Sequence, residues 1–365
     1  MQNKSTNFEL LRIILTLFIP VYHWLLYNGI FYADNSANNI YSIIPFTGIP
    51  FSCLFAFITM SAYFLTQKKY HWNIKKVYSF IALTLSLWLF KTIVIHSCFP
   101  GEKMNYYVDT FFLKGAWWYV YPYILLMIFY PLLNHFIYTS SSKKLYLATS
   151  ICGVLFLIAG ITNKTIFIND CIMFLFMYLL IGCIQRNSEC PIFHMKHAKK
   201  LQIGIYIFFV VLLTMLSIYL KLPNNGIGLE LENMIYQRLH TRYNLFGLIS
   251  GILLFYIAKD IKVPYIPSIH RVSKMTLFIF LLHETVMCIF WTFEIKSCEF
   301  LAYLPTAEFF GLLLIYMIFC ILGAAMMYKV YYTWIDPLWN KLIDRLCQTN
   351  FSKKLETIYE KLEEK

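Results

Sequence analysis

Apolar residues run along this chain in long blocks, separated by short polar and basic segments. Ten blocks stand out, at residues 8–28, 46–66, 77–96, 118–138, 145–161, 170–185, 202–220, 243–258, 275–292 and 306–330. A bilayer core of ~30 Å asks for about 20 apolar residues in helical form. The 170–185 and 243–258 blocks fall short of that length, and the longer blocks reach it. Helix is the expected state throughout, because backbone in lipid finds no water and must satisfy its own hydrogen bonds. The pattern predicts an all-α, polytopic integral membrane protein of about ten transmembrane helices. A polar stretch closes the chain, and its Trp334, Leu338 and Trp339 predict a helical tail that starts at the membrane interface. The expected organisation is one transmembrane domain, 1–333, followed by a C-terminal tail, 334–365.

Composition turns that pattern into an exclusion. The chain is 59% hydrophobic and 14% charged, whereas a soluble domain carries roughly 45–50% apolar and ~25% charged residues. Too few polar residues remain to cover a soluble surface. An even number of spans leaves both ends on one side, and the distribution of the 31 Lys and Arg residues decides which. Most of them fall in the termini and the even-numbered loops, so the positive-inside rule predicts both termini in the cytoplasm. The net charge of +12 then reflects cytoplasmic edges beside anionic lipid, and no nucleic-acid partner is expected. The first span holds Glu9, Arg12 and Pro20 and lacks a small-residue cleavage site, so it is expected to be a permanent helix and not a signal peptide.

The ten cysteines form no C-x-x-C pair, so packing is their default role. Cys190, His194 and His197 share a loop at spacings a metal accepts, but without an evident fourth ligand no metal site is expected. Cys98 and Cys298 fall in outer loops, where an oxidising compartment would allow them to pair. His96, His135 and His240 lie at span ends or in loops and read as headgroup-facing, while Lys91 sits well inside the third span.

Candidate chemistry begins in the first span, because ionisable side chains inside a membrane need partners or water. Arg12 and His23 are eleven residues apart. At 100° per residue they lie about 20° from the same helical direction and about 16 Å apart along the axis, on one face. Glu9 precedes Arg12 by three residues and is placed to pair with it. Pro20 withholds a backbone hydrogen bond from Thr16, on that same face. The ninth block holds a second ionisable pair, His283 and Glu284, in which a carboxylate stands beside an imidazole. Two such pairs in one bundle predict a polar cavity. The bland reading is a snorkelling arginine and a histidine satisfied between helices.

These residues resemble acyltransferase family 3, the multi-pass membrane enzymes that acylate sugars of bacterial envelope glycans. The most specific element is an Arg, ten intervening residues and a His, matched by Arg12 and His23. Supporting matches are Ile49-Pro50-Phe51 through Tyr63, Trp117-Trp118-Tyr119 through Asn134, and His283-Glu284. Two positions depart from the family pattern. Ser61-Ala62-Tyr63 stands where the family writes Ser-Gly-Tyr, and Asn73-Ile74-Lys75-Lys76 stands where it writes Arg-x-x-Arg. Lysine still attracts phosphate but lacks the two-pronged grip of arginine.

The resemblance implies transfer of an acyl group, most simply acetyl from acetyl-CoA, to a hydroxyl of a glycan or lipid-linked sugar. Acyl-CoA would be a co-substrate, with no bound cofactor, and the enzyme would sit in the bacterial cytoplasmic membrane. Arg12 would anchor the donor, and His23 would be general base or transient acyl carrier. Lys68, Lys75 and Lys76 would attract donor phosphate, and Glu9, His283 and Glu284 would support the intramembrane site. The rival reading is a transporter or flippase for a polysaccharide precursor, which would share the spans and buried charges without needing acyl-CoA. A sensor or assembly subunit gives no reason for Arg12 and His23 to share a face.

Overall fold

The computed structural model describes residues 6–27, 45–67, 72–98, 118–162, 167–187, 198–220, 231, 234–235, 239, 241–292 and 304–363. Among them there is no strand. In chain order the helices are α1 (Thr6–Tyr27), α2 (Pro45–Leu65), α3 (Ile74–Cys98), α4 (Val120–Thr139), α5 (Ser142–Thr162), α6 (Phe167–Arg186) and α7 (Ala198–Leu220). They continue with α8 (Leu245–Lys259), α9 (Pro267–Ser273), α10 (Thr276–Thr292), α11 (Thr306–Val330), a π-helical segment (Tyr331–Ile335), α12 (Asp336–Cys347) and α13 (Asn350–Glu363). Each of the ten expected intervals holds a helix. Seven helices among the described residues are long and apolar enough to cross a membrane by length and composition: α1, α3, α4, α5, α6, α7 and the run Thr306–Cys347. Three shorter apolar stretches, Ser52–Leu65, Leu245–Lys259 and Thr276–Met287, lie in α2, α8 and α10.

The chain resolves into two compact units. The first combines Met1–Phe57 with Pro191–Ala325. Here α1 packs against α8, α9 and α10, and α7 packs along α8. Trp24, Leu25, Leu220, Met287, Phe309 and Tyr316 form its apolar centre, with the Trp24 and Tyr316 rings stacked at 4.7 Å. The start of α8 is capped by Asn244, whose side chain accepts from the backbone N–H of Phe246 at 2.7 Å. Its end is capped from α1, where the Asn7 amide donates to the carbonyls of Ala258 and Lys259, each at 3.0 Å. Helix-end carbonyls have no partner within their own helix, so this cap ties α1 to α8 at a defined height. Gly251 lets α8 approach α2: a Cβ there would stand 2.7 Å from the Ser52 carbonyl oxygen and 2.8 Å from the Ala56 nitrogen. Ser52 and Ser250 share a hydroxyl hydrogen bond of 2.6 Å beside that contact.

The second unit combines Ile58–Cys190 with Met326–Lys365. Its polar contacts cluster on helix C-termini. Gln185 donates to the Tyr63 carbonyl at 2.8 Å, Asn134 to that of Leu65 at 2.8 Å, and Tyr138 to that of Thr66 at 2.6 Å. Tyr178 in turn donates to the Asn134 side-chain oxygen at 2.7 Å, and Arg186 donates to the carbonyls of Ile137 and Ser140 at the end of α4. The C-terminal helices fold onto this unit. Residue 334 lies within the π-helical segment, so the transition to the tail has no loop. Trp334 and Leu338 are exposed, but Trp339 turns inward and donates to the Ser86 hydroxyl at 2.8 Å. Tyr78 bonds Ser352 at 2.9 Å, and Trp72 meets Tyr359 edge to face at 4.5 Å. Burial there pushes the Tyr359 phenol above its ordinary pKa.

Candidate active site

Helix α1 runs without interruption from Thr6 to Tyr27, so the rise that separates Arg12 from His23 is that of one continuous helix. Its buried side includes Asn7, Leu11, Leu15, Thr16, His23 and Trp24. Near its start Arg12 bonds the Glu9 carboxylate at 2.8 Å, with both side chains partly exposed. The pairing neutralises the guanidinium at the edge of the bundle.

His23 sits in the last third of α1, 9% exposed, against His283 and Glu284 of α10, which are 2% and 6% exposed. His23 Nδ1 lies 2.5 Å from His283 Nε2 and 3.7 Å from a Glu284 carboxylate oxygen. His283 Nδ1 lies 2.5 Å from the backbone carbonyl of Phe280. With His283 neutral, that last contact orders the protons along this pair of rings. A carbonyl oxygen only accepts, so His283 Nδ1 is the donor and the Nε2 of a neutral His283 is an acceptor. His23 Nδ1 must then carry the proton shared with His283, which leaves His23 Nε2 as the basic nitrogen. Tyr316 of α11 donates to the His283 carbonyl at 3.1 Å and holds this turn of α10 in place.

His23, His283 and Glu284 are also a set of metal-ligand types, with their donor atoms all within 4.8 Å of one another. Zinc holds nitrogens at about 2.0–2.1 Å in a tetrahedron, which puts two of them roughly 3.4 Å apart. At 2.5 Å the two imidazole nitrogens stand closer than that spacing, so in this arrangement they face each other across a shared proton. The other set of metal-ligand types, Cys190, His194 and His197, lies outside the described residues, as do Cys298 and the side chain of Cys98.

The basic loop is only partly described. Lys68 lies outside the described residues. Lys75 opens α3 and pairs with Asp344 of α12 at 2.6 Å, with both side chains about half exposed. The backbone N–H of Lys76 is capped by the Asn73 side chain at 3.3 Å. Any phosphate reaching Lys75 would compete with Asp344.

Over residues 5–335 the chain matches the family described as acyltransferase domain. It belongs to acyltransferase family 3. No curated protein and no solved structure matches it. Membership makes this a multi-pass membrane protein of an acyl-transferring family, and the transporter reading gains no support. Several motif residues of the family member acquire structural roles. Asn134 caps α2, and Ser61 faces the Tyr119 hydroxyl at 3.5 Å. Tyr316 and the Phe280 carbonyl escaped the sequence reading, since one is a tyrosine among 28 and the other is backbone. Nothing local to Asn7 indicates that its partners lie 251 and 252 residues away.

Proposed function

We propose that this protein is a membrane-bound O-acyltransferase, moving an acyl group, most simply acetyl, from acyl-CoA to a hydroxyl of an envelope polysaccharide or lipid-linked sugar. The observation that carries the reading is His23 held through Nδ1 against His283, on the helix that bears Arg12; with His283 neutral, this makes Nε2 the basic nitrogen. Family membership supplies the reaction class. The acceptor oxygen attacks the thioester carbonyl as its proton passes to His23 Nε2. The carbon–sulfur bond then breaks, and the departing thiolate takes that proton from the imidazolium. Glu284, 3.7 Å from Nδ1, favours the charged ring while it exists. This is general-base transfer, with no acyl group held on the imidazole.

Arg12 anchors the donor in this reading, and Lys68, Lys75 and Lys76 attract its phosphates. The seven long helices and three shorter apolar ones cross the bacterial cytoplasmic membrane ten times in all, with both termini in the cytoplasm. Residues 1–333 are then the transmembrane domain and 334–365 a cytoplasmic tail. Membranes given labelled acetyl-CoA test the core claim. Wild-type membranes should label glycan, and His23→Ala membranes holding equal protein should not. Labelling by His23→Ala would refute the assignment.

A further inference from the structure

Between Arg12 and His23, α1 carries a polar residue that the fold leaves unused. Thr16 is fully buried, and among the described residues its Oγ1 has no hydrogen-bond partner. A threonine within a helix ordinarily turns its hydroxyl back to the carbonyl one turn earlier. Thr84 and Thr149 do so, at 3.0 Å to Phe80 and 2.8 Å to Leu145. Thr16 does not, although Arg12 offers the equivalent carbonyl. Four residues on, Pro20 has no N–H to give the Thr16 carbonyl. One buried residue therefore presents a hydroxyl donor and a main-chain acceptor that its own helix does not claim.

Its position gives the pair a direction. Thr16 is about 40° around the helix from Arg12 and about 20° from His23, on the strip the two define. It stands about 6 Å above Arg12 and about 10.5 Å below His23 along the axis. An acyl-CoA laid along that strip has its phosphates toward Arg12 and its thioester toward His23. The arm between them contains two secondary amides, each with a carbonyl and an N–H to satisfy. Resting on the function proposed above, we infer that Thr16 is a donor-binding residue whose hydroxyl and carbonyl hold an amide of that arm.

Thr16→Val keeps the shape of the side chain and removes the hydroxyl, and Thr16→Ser restores it. Steady-state transfer is measured in membranes with acetyl-CoA and with an acetyl thioester of ethanethiol, which has no amide. Thr16→Val should raise the KM for acetyl-CoA about tenfold, the loss of one good hydrogen bond, with kcat little changed. Thr16→Ser should return KM to within about twofold of wild type, the hydrogen bond being regained. The amide-free donor should not distinguish the three proteins, and the thermal midpoint of Thr16→Val should not fall, because no native bond is lost. An unchanged KM for acetyl-CoA in Thr16→Val overturns the inference, as does an equal loss with both donors. Wild-type membranes that transfer nothing from acetyl-CoA would overturn the parent function and this inference with it.

Discussion

Replacing His283 with Phe keeps a ring of similar bulk in α10 and removes the acceptor that His23 Nδ1 bonds at 2.5 Å. The His23 ring then loses the contact that fixes its tautomer, and the imidazolium loses one charge-assisted hydrogen bond. A hydrogen bond to a charged group contributes about 1.5–3 kcal/mol. At about 1.4 kcal/mol per decade of rate, kcat should fall about 10- to 150-fold. The donor KM should stay near wild type, because His283 lies at the far end of α1 from Arg12. His283→Gln, which offers a carbonyl acceptor, should recover part of the loss. Initial rates in membranes at saturating donor, normalised to protein by immunoblot, read all three effects. Two results would refute the reasoning: His283→Phe within twofold of wild type, or His283→Phe as inactive as His23→Ala. The second would make His283 the base and reverse the order of the proton chain.

Asn7→Leu deletes two caps on α8 and should lower stability by about 1–3 kcal/mol, read as a lower thermal midpoint in detergent. A midpoint equal to wild type would show that the α1 to α8 cap contributes nothing. Asp344→Ala breaks a half-exposed ion pair and should cost no more than about 1 kcal/mol while freeing Lys75, so the donor KM should fall. A KM that rises instead would remove Lys75 from donor binding. Treatment with EDTA should leave transfer intact, since His23 and His283 face each other at 2.5 Å across a shared proton; loss of activity restored by zinc would contradict this.

Much of the fold was legible because hydrocarbon allows few solutions. A block such as 145–161 has one way to satisfy its backbone in lipid, and α5 occupies Ser142–Thr162. The margins were harder, since block ends say little about where a helix is capped. The tail shows the limit well. Trp334 and Trp339 read alike in sequence, yet one is exposed and the other is bonded to Ser86, a partner 253 residues earlier. Local pattern carries no information about such a partner.

The active-site reading divides in the same way. Spacing along a single helix put Arg12, Thr16 and His23 on one face, because helical geometry is local and fixed by rise and turn. The Glu9 pairing with Arg12 followed for the same reason. Only the packing of α1 against α10 decided that His283 would meet His23, a contact spanning 260 residues. Only that contact, together with the Phe280 carbonyl, decided which nitrogen of His23 is basic. The sequence by itself determined a membrane bundle with two ionisable pairs, since burial of charge in lipid is costly wherever it occurs. The tertiary structure decided that His23 joins His283 and Glu284 while Arg12 pairs with Glu9, because hydrogen bonds between helices depend on register and depth that no single segment encodes.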